Sequence, residues 1–129
     1  MRDITKKSVN AFLKRKPFKS GNMQVTVDNK TGIVSMLLHN NKIAGITPLN
    51  DTHEMLTLSD AGWKTVTTKE RLNGILMQIG HARIFQSKGI WYLGDESWYL
   101  GDESKEWTGS VQFIRWKKME SEWCQHEYT

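Results

Sequence analysis

Six tryptophans, four histidines and one cysteine are the residues with most chemistry to offer in this 129-residue chain. The histidines, His39, His53, His81 and His126, include no pair at the i, i+4 spacing with which a helix grips a metal. Cys124 and His126 lie two apart without further partners, short of the four ligands a zinc site takes. No nucleophile elbow, Walker loop or dinucleotide fingerprint occurs. The acidic residues fall mostly in turns, away from apolar surroundings that would tune a carboxyl for acid–base work. No catalytic residue, metal or cofactor is therefore assigned, and nothing argues for an enzyme.

The best local candidate is an anion site in the stretch from Trp63 to Arg71. A helix N-terminus offers free amides and the positive end of its dipole, which suit a phosphate. Thr67 and Thr68 add hydroxyls, Lys64, Lys69 and Arg71 add charge, and Trp63 adds a stacking surface. The plainer reading is that Thr67 and Glu70 form a capping box and Trp63 fills the core. A second basic feature is the chain's head. Residues 1–20 carry seven Lys/Arg against one Asp, a net +6, while residues 91–129 carry a net −4. Lys6, Lys7, Lys14 and Arg15 would form its basic face, with a polyanion as a natural partner.

These residues need elements to position them. Val9, Phe12 and Leu13 form an apolar stripe that predicts a helix over Thr5–Lys16, with Asp3 or Thr5 at its start and Pro17 as its stop. Alternation predicts strands at Met23–Val27, Ile33–His39 and Lys42–Ile46, with Asn40-Asn41 as a tight turn. A polar loop over Thr47–Glu54 and a short strand over Met55–Ser59 follow. Leu72, Ile75, Leu76 and Ile79 repeat at helical spacing and predict a helix over Thr68–Ile79, closed by Gly80. Ala82–Gln86 and Ile90–Leu93 read as a hairpin, and Val111–Trp116 as a last strand before a polar tail from about residue 117. Strands in consecutive hairpins predict an α+β fold: one domain, a mostly antiparallel sheet and two helices packed on one face.

Composition agrees. Hydrophobic residues make up 38% and charged residues 25%, as in a globular domain. One cysteine allows no internal disulfide, there is no secretory h-region, and no apolar run approaches a membrane span. A cytoplasmic protein without membrane contact is expected.

WYLGDES occurs twice in tandem, at residues 91–97 and 98–104. Two copies of so short a unit cannot build a solenoid. The expectation is a slip duplication in which one copy packs in the core. The other would leave Trp98 and Tyr99 exposed as a contact for a partner or second subunit.

The segments SDAGW, KTVTTKERLNG, QSKGIWYL and KEWTGS, with ITKKSVNAF and KPFKSGN near the start, resemble a family of small bacteriophage proteins with no assigned activity. The resemblance covers most of the chain. It leaves out the Leu49–Glu54 loop, the second WYLGDES copy and the tail after Ser110. It implies phage origin and the cytoplasm of an infected bacterial host, and transfers no catalytic residue. Two functions follow as expectations. One is an accessory protein that binds nucleic acid or a phosphorylated small molecule through the basic helix N-terminus. The other is a protein-binding inhibitor of a host defence system; a small enzyme ranks third.

Overall fold

A computed structural model describes residues 2–94, 105–117 and 123–126. Helix α1 (Asp3–Leu13) precedes a run of antiparallel strands, β1 (Phe18–Ser20), β2 (Met23–Val27), β3 (Val34–Leu38), β4 (Asn41–Pro48) and β5 (His53–Ser59). Helix α2 (Val66–Gln78) follows, then β6 (Arg83–Ser87), β7 (Ile90–Gly94), β8 (Lys105–Glu106), β9 (Ser110–Trp116) and β10 (Cys124–His126). The expected α+β class is what forms. The strands divide into two sheets, however: seven in the order β1-β2-β3-β4-β5-β9-β10, and three in the order β6-β7-β8. Strand β9 returns to pair with β5 across the full length of both.

One face of the large sheet is apolar because its strands alternate. Val25, Met36, Ile46, Leu56 and Phe113 are buried on it, in one cluster with Val9 and Phe12 of α1 and Leu72, Ile75 and Leu76 of α2. Both helices thus lie against that face, as their stripes require. Asn73 ties α2 to the small sheet, accepting from the Ile84 amide at 2.7 Å and donating to its carbonyl at 2.8 Å.

The boundaries moved for identifiable reasons. The tight turn is His39-Asn40, one residue earlier than expected; both residues take positive φ, and Leu38 faces Asn41 across the ladder. The predicted Thr47–Glu54 loop shrinks to residues 49–52, because β4 and β5 extend their pairing to Pro48 and Glu54. Helix α2 starts earlier, with Thr65 as its cap: the Thr65 hydroxyl accepts from the Thr68 amide at 3.1 Å. The capping box expected from Thr67 and Glu70 is not made, because Glu70 turns to Thr5 of α1. Part of the predicted polar tail is ordered into the fold. Trp123 is buried and residues 124–126 pair with β9. The first WYLGDES copy enters β7 with Trp91–Gly94. Residues 95–104, with the whole second copy, Trp98 and Tyr99, lie outside the described residues.

Candidate anion-binding cleft

The two helices end in the same way, with one telling difference. Gly80 closes α2 at φ 77°, the left-handed position that glycine takes without penalty. Helix α1 closes with the same pair of hydrogen bonds, Arg15 to Phe12 and Lys16 to Ala11, but the left-handed residue is Arg15 at φ 59°. A side chain there costs about 1–2 kcal/mol. The Arg15 side chain is held at its far end: Nη2 donates to both Glu54 oxygens, at 2.6 and 2.7 Å.

Glu54 stands in β5 in phase with Leu56 and Leu58, so alternation carries it to the buried face, where it is 2% exposed. The β5–β9 register sets Arg115 directly opposite, and Arg115 Nε donates to Glu54 Oε1 at 2.7 Å. Burial alone would raise the Glu54 pKa. Hydrogen bonds from Arg15 and Arg115, and their charge, outweigh burial and hold it below the ordinary value. Trp123 then covers Arg115, with its ring 4.3 Å from the guanidinium carbon. His81 fixes Trp123 in turn by donating to its carbonyl.

Around this pair opens a cleft of about 890 Å3, whose lining includes Lys14, Arg15, Lys16, Arg115, Lys117 and Glu54. Among the described residues, five cations against one carboxylate leave a net +4. Both helix C-termini also reach the cleft, through Leu13 and Ile79. Each contributes about −0.5 of a charge, so roughly +3 remains. A smaller groove beside it shares Leu13 and Gln78 and is lined by Lys6 and Lys7. The predicted basic face is therefore continuous with the cleft through α1. Lys7 is paired with Asp3 at 3.1 Å, an exposed pair of little worth.

The predicted helix N-terminus is built differently. Trp63, Thr67 and Thr68 come together around a cavity of about 390 Å3 with Leu38, His39 and Asp60, and no Lys or Arg lines it among the described residues. Trp63 is 61% exposed, so it does not fill the core. Lys64 is exposed, and Lys69 reaches over the Trp91 ring at 5.9 Å. Arg71 is 1% exposed and points inward, donating to Thr5, Glu70 and Asn22. Burial lowers its pKa, Glu70 raises it, and the charge of Arg2 lowers it. It joins α2 to α1 instead of facing solvent. Among the described residues no group of three His, Cys, Asp or Glu is placed to hold a metal, and no helix is long and apolar enough to cross a membrane.

Sequence reasoning passed over Lys16, Glu54, Arg115, Lys117 and Trp123. The usable signal was phase: a Glu and an Arg on the apolar beat of HEMLTLS and SVQFIRW must each find a buried partner.

The fold and the cleft together define a small α+β protein with an organised basic cleft. The chain belongs to the Kyanoviridae Gp96 protein family, a bacteriophage family whose profile matches residues 1–120. The match runs past Ser110, beyond the resemblance read from the motifs. No curated protein and no solved structure matches the chain.

Proposed function

We propose that this phage protein is an accessory binding protein that holds nucleic acid, or a phosphorylated ligand, by its phosphates in the cleft braced by Glu54. The observation that carries the reading is the pair of arginines fixed on one buried carboxylate among Lys14, Lys16 and Lys117. Orientation is settled before the anion arrives, so little side-chain entropy is lost on binding. At the α2 N-terminus, where the sequence alone put the site, no lysine or arginine among the described residues lines the cavity. The alternative, a protein-binding inhibitor of a host system, needs no phosphate and no strong dependence on salt.

The test is a salt titration of binding to a labelled oligonucleotide, read by fluorescence anisotropy. Four or five phosphates neutralised in the cleft give a slope of about −3 to −4 in log K against log salt, or roughly a 10²-fold loss between 50 and 200 mM salt. Reversing Lys14 and Lys117 to Glu should weaken binding and flatten the slope by about 2. Reversing Lys64 and Lys69 should leave both unchanged. Absence of binding at low salt, or dependence on Lys64 and Lys69 alone, removes the proposal.

A further inference from the structure

Trp116 is the last residue of β9, between Arg115 and Lys117, both of which line the cleft. Trp116 is 54% exposed, where Trp91, Trp107 and Trp123 are each 4% exposed. It is not loosely held. His53 faces it across the final rung of the β5–β9 ladder, with ring centroids 4.2 Å apart. His53 is fixed in turn by a 2.8 Å hydrogen bond between its Nδ1 and the Thr52 hydroxyl. Asn50 Oδ1 accepts from the Thr52 amide, the Thr52 hydroxyl and the His53 amide at 2.8–2.9 Å. The Lys117 amide closes the end of the ladder on the Thr52 carbonyl at 2.8 Å. One side of Trp116 is thus backed by a fixed ring and much of the rest is open.

We infer that Trp116 is a base-stacking platform and that the polyanion in the cleft is single-stranded nucleic acid. This rests on the phosphate-binding reading above. Strand alternation turns Arg115 toward the helices and Trp116 to the opposite face of the sheet. A ligand touching both must round the end of the sheet, over a distance on the order of 10 Å. A flexible single strand makes that turn; a duplex, with a persistence length of about 150 bp, does not. Phosphates held by Arg15, Arg115 and Lys117 then leave a neighbouring base free to lie on the indole, and any base has a face to offer. Trp63, the other exposed tryptophan among the described residues, borders a cavity that none of their lysines or arginines lines, so the same argument does not reach it.

The experiment compares three ligands of equal phosphate number with the full chain at one low salt concentration. They are a labelled oligothymidine, an abasic strand of the same length, and a duplex. Both single strands release the same counterions, so their difference reads stacking alone. The expected result is oligothymidine bound about tenfold more tightly than the abasic strand. Trp116→Ala should erase that difference and leave abasic binding unchanged, and Trp116→Phe should restore most of it. Parent affinity equal for thymidine and abasic strands overturns the inference while phosphate binding stands. So does a preference that survives Trp116→Ala, or a duplex that binds more tightly than either strand. Failure to bind any of the three overturns the phosphate reading and this inference together.

Discussion

Replacing Glu54 by Gln keeps the shape and one acceptor oxygen but removes the charge on which two arginines converge. Arg115, 9% exposed, would keep its charge and lose the Glu54 carboxylate. Breaking a buried pair from one side costs about 3–5 kcal/mol. Arg15 is 37% exposed and can turn to water, so its half of the arrangement adds little. The Trp123 ring covers Arg115 in parent and variant alike, so it cancels in the difference. The expected loss is about 3–5 kcal/mol, a fall in Tm of about 9–25 °C for a chain of this size. Thermal unfolding followed by circular dichroism at pH 7 measures it. The pH dependence supplies an internal check. Glu54 has a lowered pKa in the folded state, so its contribution is complete above the ordinary value of 4.5. It is lost as the pH falls through the lowered value. The gap between parent and Glu54→Gln should therefore be constant near neutrality and close in acid. Melting points that coincide at pH 7, or a gap that widens as the pH falls, would refute the reasoning.

Three further outcomes test the frame around the cleft. Thr65→Ala should cost about 1 kcal/mol in denaturant unfolding and Thr67→Ala much less, because Thr65 holds the α2 cap; equal costs would restore the capping box. Leu76→Ala, at a fully buried position, should cost about 2–5 kcal/mol, and a change of a few tenths would mean that α2 is not docked on the sheet. Asn73→Ala should cost about 1–3 kcal/mol by leaving the amide and carbonyl of Ile84 without their partner, with faster amide hydrogen exchange confined to β6.

How much of this was legible depended on range. The α2 stripe of Leu72, Ile75 and Leu76 and the Gly80 stop are local patterns, and they placed the helix to within a few residues. Its start was missed because Thr65, Thr67 and Thr68 can all cap, and only the tertiary position of Glu70 decides among them. Arg71 looked like part of a basic helix start. Helical phase puts it nearer the Leu72 side than the solvent side, and a hydroxyl on α1 receives it. The cleft was the least legible part because it joins Lys14, Arg15 and Lys16 to Glu54, Arg115, Lys117 and Trp123, residues far apart in the chain that only the tertiary fold unites. Lys14 and Arg15 were picked out for their charge. That charge said nothing of Glu54, the buried carboxylate to which Arg15 donates.

The most direct test of the account is where a ligand touches the chain, because the two candidate sites lie at opposite ends of α2. Amide chemical shifts recorded during titration with a single-stranded oligonucleotide of about ten nucleotides separate them. Saturable shifts are expected at Lys14, Arg15, Lys16, Glu54, Arg115 and Lys117, with Trp63 through Lys69 unmoved. Shifts gathered at Trp63 through Lys69, with the cleft silent, would contradict it.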